Sequence, residues 1–164
     1  MYLKIKSTSK SIKNLVLIGD KLTKFSSGIE ESIVKQFQLF MEGEKDFDYF
    51  KSANQFLVFV KGDSDNEKNR VTGFNVRKLL DKKETEISVE GNDEMVLNFC
   101  EGFALSNYQF LKYFKDSDKK RNTLESIFVA EHFSAKVIAE MNTTIKSVFW
   151  ARDMVNEPVS YLNA

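Results

Sequence analysis

Two uninterrupted apolar runs, LVLI at Leu15–Ile18 and FLVFV at Phe56–Val60, constrain the fold of this chain more than any other feature. A strand with one face in water alternates apolar and polar residues, because successive side chains point to opposite faces. A run without a polar position is a strand covered on both faces, as inside a parallel sheet flanked by helices. Strand patterns recur at Tyr2–Lys6, Thr85–Val89 and Leu124–Val129, and Asp46–Phe50 can add another. In Thr85–Val89, Ile87 and Val89 alternate with Glu86 and Ser88, which predicts a more exposed strand.

Helical patterns separate these runs. Ile33, Phe37, Phe40 and Met41 make one stripe, and Phe74, Leu79 and Leu80 support a second, shorter helix. A third begins near Asn92 and Asp93, whose side chains can cap it, and carries Val96, Cys100, Phe103, Phe110 and Phe114. The longest starts near Ser134 and places Val137, Met141, Ile145, Val148 and Val155 at spacings suited to burial. Pro158, the only proline of 164 residues, disfavours the helical conformation at Glu157, so this helix should end near Asn156. The polar stretches Lys61–Asn69 and Lys115–Asn122 read as loops. Strands alternating with helices predict an α/β domain: a mixed sheet of about five to seven strands, helices on both faces, and a long final helix.

Charge and cysteine content narrow the function. Lys+Arg and Asp+Glu both number 24, a balance that argues against a dedicated nucleic-acid binder. One cysteine and one histidine allow neither an intrachain disulfide nor a Cys/His zinc site. The cytoplasm is the expected location, and no run of 18 apolar residues predicts a membrane span. The opening MYLKIKSTSKSIKN is Lys- and Ser-rich, but it lacks arginine and alternates Leu3 and Ile5 with Lys4 and Lys6. It therefore reads as a strand rather than a transit peptide.

Individual candidates for chemistry fall to simpler readings. Asp63, Asp65 and Glu67 alternate like the opening of a calcium loop, but Lys68 and Phe74 stand where its glycine and glutamate belong. The seven glycines are too scattered for a phosphate-cradling loop. His132 has no marked nucleophile beside it, Cys100 sits on an apolar helical stripe, and Lys119-Lys120-Arg121 is offset by Asp116 and Asp118. No catalytic residue and no metal ligand is predicted in this chain.

Two stretches together resemble the leucine aminopeptidase (cytosol aminopeptidase) family. The first is EGFALSNYQFLKYFK, with matching positions Glu101, Gly102, Leu105, Tyr108, Phe110 and Phe114-Lys115. The second is ARDMVNEP, similar to the family's Ala-Arg-Asp-Leu-Val-Asn-x-Pro through Arg152, Asp153, Asn156 and Pro158, with Met154 in the leucine place. Ser106-Asn107 departs from the family, which often has a glycine before the tyrosine.

The resemblance implies a parent enzyme that removes N-terminal residues from peptides with paired divalent metals, manganese or zinc. The family's metal ligands and catalytic residues lie beyond the second motif, so none is carried over to these positions. Residues 1–148 are expected to form the family's N-terminal α/β domain, macrodomain-like in topology. Residues 149–164 are expected to be helix end and linker to a C-terminal catalytic domain. Arg152 and Asp153 would anchor the helix end and Asn156 would help terminate it. The parent would be a homo-hexamer assembled mainly through catalytic domains, leaving this chain a monomer or weak dimer. Phe149, Trp150, Val155, Tyr161 and Leu162 would form an apolar patch that the catalytic domain covers in part. The alternatives are an autonomous macrodomain-like ligand-binding module, or a structural domain of a degenerate aminopeptidase.

Overall fold

The computed structural model describes residues 3–8, 13–52, 55–80 and 84–158. In chain order its elements are β1 (Lys4–Ser7), β2 (Leu15–Gly19), α1 (Glu31–Glu42), β3 (Phe47–Lys51), β4 (Phe56–Lys61) and α2 (Asn66–Arg77). They continue with β5 (Glu86–Gly91), α3 (Asp93–Ser106), α4 (Ser117–Lys120), β6 (Ser126–Val129) and α5 (Ala135–Asn156). The six strands form one mixed sheet in the order β1-β6-β5-β2-β4-β3. Every pairing is parallel except that of β3 with β4. The mixed sheet, the helices on both faces and the long final helix are as expected. Tyr2, the predicted start of the first strand, lies outside the described residues.

The two apolar runs occupy neighbouring places in the sheet, Leu15 opposite Leu57 and Ile18 opposite Val60. On one face Leu15, Leu17, Leu57 and Phe59 pack under α1, with Phe37 edge-on to Phe25 at 4.9 Å and to Phe59 at 5.8 Å. On the other face Val16, Ile18, Val58 and Val60 continue into Ile87, Val89, Ile127 and Val129 beneath α2, α3 and α5. The α1 core stops at β2. Beyond it, that face presents Ser88 and Glu90, then Ser126 and Phe128, then Lys4 and Lys6, with Ser88 and Ser126 buried and Lys6 over the Phe128 ring. The alternation in the fifth strand does not make it an exposed one: Ile87, Ser88 and Val89 are all buried, because β5 lies between β2 and β6 inside the sheet.

The free edge of β1 is closed by a side chain. The Asn142 amide donates to the Ile5 carbonyl, and its carbonyl accepts from the Ile5 amide, both at 2.8 Å. A carboxamide offers one donor and one acceptor, so it satisfies a strand residue as a neighbouring strand would.

Four details differ from the sequence reading. Helix α2 begins at Asn66, inside the stretch read as a loop, because the Asp65 carboxylate accepts from the Glu67 amide at 2.9 Å and caps it. Its buried face is Asn69, Gly73, Val76 and Arg77, while Phe74 is 42% exposed with Lys78 over its ring. Helix α3 stops at Ser106, so Phe110 and Phe114 lie beyond it, and its cap residue Asn92 makes no side-chain cap bond. The stretch after Lys115 contains one helical turn, α4.

Helix α5 starts where expected, with Ser134 Oγ accepting from the Val137 amide, and ends at Asn156, Glu157 being extended. Its most buried line is Ile145 and Phe149, with Ile138 and Met141 packed on the same core. Val137 and Val148 flank that line and are half-buried. Val155 is 85% exposed, because the helix has by then passed beyond the core. Among the described residues, no helix is long and apolar enough to cross a membrane.

The crossing of α2 and α3 sets the thickness of the helical layer. A Cβ at Gly102 would strike the Arg70 carbonyl oxygen, and one at Gly73 would strike that of Phe99. Each helix thus has its backbone against the other's. Gly102→Ala should therefore lower unfolding stability by about 1–3 kcal/mol in urea titrations. Gly28→Ala, whose Cβ would meet only Ser26 Oγ at 3.8 Å, should change it by less than about 0.5 kcal/mol.

Candidate functional site

The last turns of α5 are tied to the segment after α3 by a compact polar network. Arg152 Nη1 donates to the Leu105 carbonyl at 2.9 Å, adding a charged donor to an acceptor in the last turn of α3. Its guanidinium lies 5.5 Å from the centre of the Tyr108 ring, within cation–π range. The Tyr108 hydroxyl donates to Asp153 Oδ1 at 2.8 Å and accepts from Asn156 Nδ2 at 3.2 Å. The same Asn156 amide donates to the Arg152 carbonyl at 2.8 Å, one helical turn back. The Tyr108 ring rests on Phe149 at 5.2 Å, and Phe149 is 5% exposed.

One residue further on, Glu157 Oε1 accepts from Lys112 Nζ at 2.6 Å while its other oxygen accepts from the Tyr113 hydroxyl. The electrostatics follow from these contacts. Lys112, and then Tyr113, hold the Glu157 carboxyl below its ordinary value of 4.5, and Glu157 raises Lys112 in return. Burial, followed by the bond to Asp153, raises the phenol of Tyr108.

The two sequence stretches singled out above therefore meet in space. Tyr108 from the first binds Asp153 and Asn156 of the second, and Leu105 receives Arg152. Gly102 lies at the α2–α3 crossing, and Glu101 beside it accepts from Arg70 Nε at 2.6 Å. Phe110 is half-buried with its ring 5.7 Å from that of Tyr113. Lys115, Phe114 and Pro158 are exposed, and the network does not include them. Phe149, expected in an uncovered patch, is instead a core residue, because it sits under the Tyr108 ring. Trp150 and Val155 are exposed, at 62% and 85%, and Tyr161 and Leu162 lie outside the described residues.

Sequence reasoning missed the amide network that shapes the intervening segment. Asn107 keeps a right-handed backbone (φ −78°, ψ −6°), so no glycine is required there. Its Oδ1 accepts from Arg77 Nε at 2.9 Å and Nη2 at 2.7 Å, and burial pulls the Arg77 pKa down. Gln109 Oε1 accepts from the Asn122 amide, and its own amide donates to the Lys120 carbonyl. The departure Asn107 was the visible signal; the buried arginine that uses it was not.

Between this segment, the starts of β1, β5 and β6, and the end of α5 lies a cleft of about 770 Å³. It opens at the amino ends of the parallel strands, whereas open parallel sheets usually bind ligands at the carboxyl ends. The carboxyl ends here are acidic, with Asp20, Asp63, Glu90, Asp93 and Glu94 in or just after the strands.

The remaining candidates have local partners. Asp63 accepts from the Asp65 amide and from Lys68. His132 bonds Asp93 at 2.7 Å on the surface, and Asp116 and Asp118 pair with Lys119 and Arg121. Cys100 is fully buried, which pushes its thiol far above the usual range and leaves it inert. Among the described residues no group of three or more His, Cys, Asp or Glu side chains is placed to hold a metal ion. The paired metals implied by the resemblance find no fitting ligand set among the described residues.

A solved structure of a tomato leucine aminopeptidase mutant shares this fold, with a TM-score of 0.63 and 13% sequence identity. The match covers 96% of this chain and 38% of that one, so the chain spans well under half of its neighbour's length. No family model matches the sequence. No curated protein matches it either.

Two measurements check the network. Tyr108→Phe removes a half-buried hydroxyl with two partners and should cost about 1–2 kcal/mol of stability. A nuclear magnetic resonance titration of Glu157 should give a midpoint below 4.5. The sign follows from that shift: a depressed carboxyl contributes stability above the unfolded-state value and loses it as pH falls through the folded-state value. The grip on the helix end should therefore be intact at neutral pH and released in acid.

Proposed function

We propose that this chain is the non-catalytic N-terminal α/β domain of a metal-dependent aminopeptidase of the leucine aminopeptidase type. The observation that carries the reading is the meeting of Tyr108 with Asp153 and Asn156. Two stretches that resemble that family, 45 and 48 residues apart at these contacts, form one anchor. The shared fold with an aminopeptidase of which it matches 38% supports the same reading.

On this reading the anchor sets the direction in which the chain leaves the domain, as a rigid mount for the catalytic part. The paired manganese or zinc ions, the ligands that hold them and the peptide chemistry belong to that part. After Lys146 the only charged side chains of α5 are Arg152 and Asp153, and both turn inward to the anchor. Trp150, Met154 and Val155 are left exposed, a face suited to cover by the catalytic domain. Hexamer formation through catalytic domains and a cytoplasmic location belong to the same proposal.

An autonomous phosphate-binding module of macrodomain type is less well supported. The carboxyl ends of the strands carry carboxylates, which repel phosphate, and no glycine-rich loop offers its amides.

Leucine p-nitroanilide should remain uncleaved by this chain alone with manganese or zinc added, and calorimetry should detect no tight stoichiometric metal binding. ADP-ribose should give no binding heat. Turnover or stoichiometric metal would place the chemistry in this chain, and micromolar ADP-ribose affinity would establish the rival module.

A further inference from the structure

We infer that the cleft beside the α5 anchor binds a small organic cation, a primary amine with an apolar or aromatic body. This goes beyond the domain reading and does not depend on it. The volume of about 770 Å³ is in the range of small-molecule sites. Its wall combines the rings of Tyr108, Phe110 and Phe149 with carboxylates.

The charges of the wall do not cancel. Lys112 is bound to Glu157 at 2.6 Å, and Arg121 faces Asp118 at 3.6 Å. Glu125 and Asp153 have no cation partner among the described residues. Asp153 accepts from Tyr108 through Oδ1, leaving Oδ2 open, and the Glu125 side chain makes no contact with a donor among the described residues. The side-chain amides of Asn107, Gln109 and Asn122 already bond backbone groups, and Asn107 also holds Arg77, so they form wall rather than recognition groups. What remains for a ligand is two carboxylates and an aromatic surface. An ammonium group can satisfy either carboxylate through charge-assisted hydrogen bonds while its body covers the aromatic surface. A metal ion is the poorer fit, because no three ligating side chains among the described residues converge.

The test is a ¹H–¹⁵N titration of the full chain with phenethylamine, with phenethyl alcohol as its neutral counterpart. Saturable shifts confined to residues such as Tyr108, Phe110, Glu125 and Phe149 are expected with the amine and not with the alcohol. Glu125→Gln alters an exposed side chain without a hydrogen-bond or ion-pair partner among the described residues, and Asp153→Asn keeps an acceptor for Tyr108, so both variants should fold. Each should weaken amine binding about tenfold, the loss of one charge-assisted contact. Equal binding of the alcohol, unchanged affinity in both variants, or no saturable shift with the amine would overturn the assignment.

Discussion

The Tyr108 hydroxyl, donating to Asp153 and accepting from Asn156, ties the last turn of the longest helix to the segment after α3. The first part of α5 is held by ordinary burial, with Ile145 and Phe149 in the core of the sheet. Past Phe149 the apolar inner line gives way to Arg152 and Asp153, and packing alone no longer fixes the helix. The polar contacts take over there, from Arg152 to the end of α3, from Asp153 to Tyr108, and from Glu157 to Lys112 and Tyr113. They fall within about one and a half turns, from Arg152 to Glu157, so a single bond need not be strong for the end to be well fixed.

This anchor also explains the shape of the segment between α3 and β6. Tyr108 must reach α5, and Asn107 must reach Arg77, so the chain turns out of α3 at Ser106 instead of continuing. The excursion walls a cleft at the amino ends of the strands, the edge that parallel sheets seldom use. At the usual edge, Asp65 caps α2, Asp63 pairs with Lys68, and Asp93 is hydrogen-bonded to His132.

Much of the fold was legible because the sheet is built from strong patterns. All six strands coincide with predicted segments, since unbroken apolar runs and clean alternation both mark strands. The ends of α5 were legible through Ser134 and Pro158, whose backbone chemistry is local. The start of α2 was not, because the charged residues around Asp65 suit a solvated loop as well as a capped helix. Phe74 and Val155 misled because an apolar residue on a helix does not say which face meets the core. Phe149 misled in the other direction, its cover coming from Tyr108, distant in sequence. Of the candidate site, the participating residue types were visible in the two motifs. Their mutual contact was not, because no local spacing encodes a bond between positions 108 and 153.

The end of α5 is anchored rather than fraying, which backbone exchange measures directly. Native-state hydrogen exchange should show the amides from Phe149 to Glu157 protected to a degree comparable with those around Ile145. Exchange near the free-energy cost of simple fraying, close to zero, would contradict it.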